Sequence, residues 1–322
     1  MRTITLEEHY ATAAFLDGPW QRRADEGPPM RNAQIVDLLC DIGEGRIAAM
    51  DAADIDVQVL SLNSPGVEQS DAAEAVPVAR DANDLLADAV QRHPDRLAGF
   101  AALPTVVPEV AADELERTIR AHGFVGAMIN GHTQGRYLDD AFFWPILERA
   151  EALDVPIYLH PTPPPKAVVD ASYVGNYAPE VARTLATTAW GWHVETATHV
   201  LRLIVSGAFD RYPNLQLVVG HMGEGLSFML PRIESMLSRV VELERPIGAY
   251  FVENLHYTFA AFNWTPTFLN LLLHVGVDRI MFAVDYPYGS MPQARAFLDH
   301  LPVSSADKER IAHGNAERLL RL

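Results

Sequence analysis

The sequence predicts a (β/α)8 barrel, a TIM barrel, formed as one domain over residues 1–322 with long loops over one face. Three observations carry that expectation. Short apolar runs alternate with longer helix-period stretches, and eight such alternations fit in 322 residues. The short runs are apolar throughout, as strands of a parallel sheet buried on both faces must be. No glycine-rich phosphate loop follows the first run, which counts against an open, doubly wound sheet.

Residues 3–6 read as the first strand and 57–62 (VQVLSL) as the second, with a helical stretch ending at 47–53 between them. An alanine-rich helix over 71–92 leads to a third strand at 97–102. A helix over 109–121, with Gly123 as its stop, leads to a fourth strand at 124–129. The helix over 140–153 precedes the strand PIYLH at 156–160. One long helix is expected over 178–206, then LQLVVG at 215–220 as the sixth strand. Helical periods at 226–241 and 266–275 flank a weak seventh strand at 255–259. RIMFAV at 279–284 is the eighth, and helices near 292–301 and 306–320 follow it. Residues 11–32 and 162–177 look like insertions. They follow the first and fifth strands, where long loops wall an active site.

Apolar residues make up 49% and charged residues 21%, enough for a large core. A net charge of −17 repels phosphate backbones and argues against nucleic-acid binding. The single cysteine, Cys40 in VDLLCDI, rules out an intrachain disulfide and reads as buried packing. MRTITLEEHY has no signal core, and no apolar run reaches the roughly 18 residues of a membrane span, so a cytoplasmic protein is expected.

The chemistry is written where the strands end. The first runs into Glu7-Glu8-His9, the fifth ends at His160, the sixth runs into His221 and the eighth into Asp285. In barrel enzymes these C-terminal strand ends carry the catalytic groups. Strand residues two apart point the same way, so Glu7 and His9 face the mouth together while Glu8 points to the outer layer. With His160 and Asp285 they make a set of two imidazoles and two carboxylates. Such a set suits Zn²⁺ or Mn²⁺ and leaves room for water or substrate.

Longer stretches resemble a known family. LEEHY (6–10), SLNSPG (61–66), FAALP (100–104) and GFVGAMING (123–131) carry the resemblance, with PIYLHP (156–161), ETATHVLRLIVSGAFDRYP (195–213), GHMGEGL (220–226) and DYP (285–287). Together they resemble the amidohydrolase-2 branch of the amidohydrolase superfamily, in particular its γ-resorcylate, 2,3-dihydroxybenzoate and 5-carboxyvanillate decarboxylases. The resemblance implies Glu7, His9, His160 and Asp285 as metal ligands, His221 as a second catalytic residue and Glu224 as its orienting carboxylate. It also places Arg232 where relatives hold a substrate-contacting arginine, in some cases supplied by the neighbouring subunit of a homodimer or homotetramer. Hydrolytic relatives usually begin with HxH and carry a bridging lysine on the fourth strand. Here the pair is ExH and that strand runs into Asn130, which points to one metal.

The activity this implies is non-oxidative decarboxylation of a hydroxylated aromatic acid. Protonating the ring carbon before CO₂ leaves avoids an aryl carbanion. Asp285 is the expected proton donor, with His221 on the ring hydroxyl. No organic cofactor is needed. The alternatives are hydrolysis of an ester, lactone or amide, hydration of an unsaturated dicarboxylate, and a non-catalytic barrel. Asn63, Tyr288, Trp190, Phe15 and Trp20 are candidate pocket walls, and His256 could face the mouth. His193, Glu195 and His199 fall on one helix, where an i,i+4 pair is a simpler expectation than a second metal site.

Overall fold

The computed structural model describes residues 1–21 and 33–322. Eight strands pair in chain order: β1 (Ile4–Tyr10), β2 (Val57–Leu62), β3 (Leu97–Ala102), β4 (Gly126–Asn130), β5 (Ile157–His160), β6 (Leu217–Val219), β7 (Leu255–Thr258) and β8 (Ile280–Met281). Every neighbouring pair is parallel. A parallel bridge between Leu6 and Ala283 joins β1 to the chain after β8, and the Leu6 N–H donates to the Phe282 carbonyl at 3.2 Å. The sheet closes as the (β/α)8 barrel the alternation predicts.

The helices that matter below are α1 (Glu44–Ala52), α2 (Ala72–Arg92), α3 (Pro108–His122), α4 (Trp144–Leu153), α5 (Pro179–Ala186), α6 (Gly191–Val205), α7 (Leu226–Leu237), α8 (Thr265–Val275), α9 (Met291–Asp299) and α10 (Asn315–Leu320). Their ends follow local chemistry. Asp71 caps α2 by accepting the Glu74 N–H at 3.1 Å, and Gly123 closes α3 in the left-handed region at φ 68°. The barrel interior is filled by Ile4, Val59, Phe100, Met128, Tyr158, Val218 and Met281, with Ala316 and Leu320 of α10 packed against them. A larger core lies between the sheet and the helices.

Several elements differ from the expectation. β1 runs four residues further than residue 6, because the barrel seam and β2 pair it as far as Tyr10. The helix expected over 178–206 is two helices, broken at Thr187–Trp190. Residues 162–177 are not an open loop but carry a short helix, Lys166–Ser172. Of the 11–32 insertion, Ala13–Phe15 and Leu16–Trp20 are helical turns, while 22–32 lie outside the described residues. Cys40 is exposed, not buried: it ends a helix, Ala33–Cys40, whose buried position is Leu39. Among the described residues no helix is long and apolar enough to cross a membrane.

Candidate metal centre and active site

At the C-terminal mouth, Glu7, His9, His160 and Asp285 each bring one donor atom within 4.8 Å of the others. Simple alternation does not explain how Glu7 and His9 converge. The β1–β2 register slips between Thr5 and Glu8, and Glu7 takes φ +68°. The bulge leaves Glu7, Glu8 and His9 all buried. Glu8 nevertheless turns, as alternation predicts, to the layer between sheet and helices, beside Gln58 and the buried Arg46 of α1. It accepts the N–H groups of Val284 (2.9 Å) and Tyr286 (3.2 Å), on either side of Asp285, and the Gln58 amide at 3.3 Å. Glu8 thus ties β1 to the Asp285 turn.

Neighbouring groups orient the donors. The Tyr158 hydroxyl donates to Glu7 Oε2, and the Thr258 hydroxyl reaches the same oxygen at 3.4 Å. Glu7 Oε1 is buried with no hydrogen-bond partner and stands 3.3 Å from His160 Nε2. His160 Nδ1–H donates to the Pro161 carbonyl at 2.8 Å, which leaves the Nε2 lone pair facing the cluster. His9 Nδ1 lies 3.4 Å from the Ser61 hydroxyl, and its Nε2 is 3.2 Å from Asp285 Oδ1. Burial pushes the Glu7 carboxyl up to about 8, with His221 opposing and Asp285 adding to the rise. A bare, buried carboxylate oxygen among two imidazoles and a second carboxylate fits one divalent cation of the Zn²⁺ or Mn²⁺ kind.

A second group adjoins this one. His221 Nδ1–H donates to Glu224 Oε1 at 2.7 Å, and His221 Nε2 lies 3.7 Å from Glu7 Oε1. Burial lowers the His221 pKa, but Glu224 and Glu7 together outweigh it and push it up to about 10. Burial raises Glu224, but His221 and His193 bring it below the ordinary carboxylate range. GHMGE is shaped for this contact. A Cβ on Gly220 would meet Glu7 Oε2 at 2.5 Å, so only glycine lets the chain pass the Glu7 carboxylate. Glu7, His221, Glu224 and Asp285 all sit at positive φ, and such backbone strain in non-glycine residues gathers at functional sites.

A model of the amidohydrolase family matches residues 32–322. The chain belongs to the amidohydrolase family. Its relatives include γ-resorcylate decarboxylase of Polaromonas sp. strain JS666, 39% identical over 99% of this chain and 98% of the relative. Among solved structures, 5-carboxyvanillate decarboxylase of Novosphingobium aromaticivorans DSM 12444, with manganese and 4-hydroxy-3-methoxy-5-nitrobenzoic acid, superposes with a TM-score of 0.92 at 36% identity, covering 100% of this chain and 96% of that one. Dihydroxybenzoic acid decarboxylase of Polaromonas sp. JS666, with manganese and the inhibitor 2-nitroresorcinol, gives 0.86 at 37% identity, covering 100% and 97%.

The remaining candidates of this amidohydrolase fall into two groups. Tyr288 and Asn63 stand together at the mouth: the tyrosine hydroxyl donates to Asn63 Oδ1 at 3.0 Å, and its ring is 6.0 Å from His9. Phe15 is fully buried, 6.0 Å from the half-buried Trp20. Trp190 is 57% exposed, whereas Trp192 stands 6.4 Å from His160. Arg232 is exposed on α7. His256 does not face the mouth: it bonds Gln216 and Arg279, which precede β6 and β8, at the opposite end of the barrel. Glu195 and His199 do not bond each other in the expected i,i+4 pair. Glu195 takes the Tyr137 hydroxyl, and His199 Nε2 accepts the Leu138 N–H at 2.9 Å. Sequence reasoning passed over Phe262, whose ring lies 5.6 Å from His221, and Tyr158, which sits inside PIYLHP but reads there only as part of the strand.

Proposed function

We propose that this amidohydrolase is a metal-dependent, non-oxidative decarboxylase of a hydroxylated aromatic carboxylic acid. The observation that carries the reading is a four-donor centre beside a His–Glu pair at a barrel mouth, in a chain that aligns end to end with γ-resorcylate decarboxylase. Glu7, His9, His160 and Asp285 would hold one Zn²⁺ or Mn²⁺. When bound, the ion supplies Lewis-acid stabilisation of the substrate carboxylate and an ortho oxygen.

The chain supplies the proton chemistry. Asp285 delivers a proton to the ring carbon that bears the carboxylate. The bond to that carboxylate then breaks, its electron pair restores the aromatic ring, and CO₂ leaves. His221, held through Nδ1 by Glu224, keeps Nε2 toward the centre to hydrogen-bond the developing charge on the ring oxygen. Tyr288, Asn63, Trp192 and Phe262 line the approach and keep water from the reacting carbon.

We propose further that the protein is cytoplasmic and assembles as a homodimer or homotetramer. Phe228 (75% exposed) and Met229 (47%) on α7, with Leu273 (84%) on α8, crowd two helices joined by the Ser227–Asn270 hydrogen bond, and Arg232 stands on the same α7. In this arrangement Arg232 serves the partner's pocket. Metal analysis followed by a screen of Mn²⁺- and Zn²⁺-loaded protein against hydroxybenzoates tests the proposal. CO₂ release from a 2-hydroxybenzoate supports it. Opening of lactones or esters with no CO₂ release would sink it in favour of hydrolysis.

A further inference from the structure

The Glu224 carboxylate is completely buried, and its two oxygens have different partners. Oε1 takes His221 Nδ1–H at 2.7 Å, while Oε2 takes His193 Nδ1–H at 2.5 Å. His193 is itself anchored at its other end. Its Nε2 lies 3.1 Å from the Thr188 carbonyl, within the break between α5 and α6. Both ring nitrogens therefore face acceptors. The break makes this contact possible. Gly191 opens α6, and a Cβ there would meet the Ala186 carbonyl oxygen at 2.1 Å, so only glycine lets α6 fold back against the end of α5. That return places His193 on the first turn of α6, with its ring 5.0 Å from His221 and 5.3 Å from Phe262.

We propose that His193 is a positioning residue for the Glu224–His221 pair: by occupying the second oxygen of Glu224 it fixes which nitrogen of His221 faces the centre. With one oxygen free, a carboxylate rotates about its last side-chain torsion, which is broad and roughly two-fold. Rotation would release His221 Nδ1–H, and the ring could then turn about its own torsions and take Nε2 off the centre. With both oxygens held, the carboxylate is locked, His221 Nδ1–H keeps its acceptor, and Nε2 stays toward Glu7 at 3.7 Å. His193 acts only through Glu224. It also couples the pair to the α5–α6 break.

The inference rests on the decarboxylase reading for its kinetic test, but not for its spectroscopic one. Asn at position 193 keeps an amide N–H where Nδ1 stood. Gln keeps one near Nε2 and leaves no donor where Nδ1 stood. In full-length, zinc-loaded protein, H193N should stay within about threefold of wild-type kcat, whereas H193Q should lose about 10- to 100-fold in kcat with KM and zinc content unchanged. With ¹⁵N-labelled histidine, the His221 Nδ1–H resonance should stay sharp in wild type and H193N and broaden or vanish in H193Q. Wild-type kcat in H193Q, or loss of kcat only together with zinc and thermal stability, would overturn the proposal. If wild type releases no CO₂ from any hydroxybenzoate, the functional reading fails and the resonance alone decides. An unchanged His221 signal in H193Q then overturns the clamp.

Discussion

Glu7 has two oxygens with two separate tasks. Tyr158 and Thr258 hold Oε2, and Oε1 is left bare toward His160 and His221. Removing the tyrosine hydroxyl frees the carboxylate to turn, so Tyr158→Phe should weaken metal affinity by about 10- to 100-fold, measured by competition with a chromogenic chelator. Unchanged affinity would mean that the phenol only packs. Asp285 carries both a ligand atom and the proposed proton. Asp285→Asn should fold with wild-type thermal stability yet lose turnover by at least about 10²-fold, since an amide cannot give up and regain that proton. Full activity would remove Asp285 from the chemistry.

Strand ends and loops set these side chains, and their behaviour was unevenly legible. The pairing of Glu7 with His9 was readable from spacing, but the bulge that delivers both was not, because it depends on the register with β2. The break at Thr187–Trp190 was also hidden. Its cause is a close approach of backbone to backbone at Gly191, which leaves no mark on local helical period. Another link between elements joins the loop after β2 to the end of β4. Glu68 Oε1 accepts the Asn130 N–H at 2.7 Å, while Glu68 Oε2 and Asn130 Oδ1 are buried without partners. Burial outweighs these hydrogen bonds and pushes the Glu68 carboxyl up to about 7. A carboxyl raised on folding contributes stability below its unfolded pKa of about 4.5 and loses it as pH rises through 7. Glu68→Gln should therefore be the more stable protein at pH 8, by an amount on the order of 2–3 kcal/mol that closes toward pH 5. Denaturant melts of both proteins across that range check this, and parallel curves would refute it.

At the scale of the whole molecule, the barrel is plugged at one end and reactive at the other. Ala316 and Leu320 of α10 pack on the interior layer, so the last helix is part of the core rather than an appendage. Leu320→Ala should cost about 2–5 kcal/mol in urea unfolding without changing metal content or KM. A loss below 1 kcal/mol would show that α10 is dispensable. The opposite end gathers residues from the ends of β1, β2, β5, β6 and β8, which share no sequence neighbourhood and meet only because the sheet closes.

The sequence by itself determined the eightfold alternation, the donors at strand ends and the family, because apolar periodicity, residue spacing and local motifs are properties of neighbouring residues. It could also say that His221 and Glu224, three apart in GHMGE, belong together. Only the tertiary structure decided that Glu8 braces the Asp285 turn and that His256 lies at the far end. Likewise it alone showed that Cys40 is exposed and that Glu7 is oriented by Tyr158 across the barrel. His193 belongs to the same class: its partner is 31 residues away, and only the fold at Gly191 brings the two together. Such contacts depend on strand register and on the way the chain returns over the mouth, which local sequence does not encode.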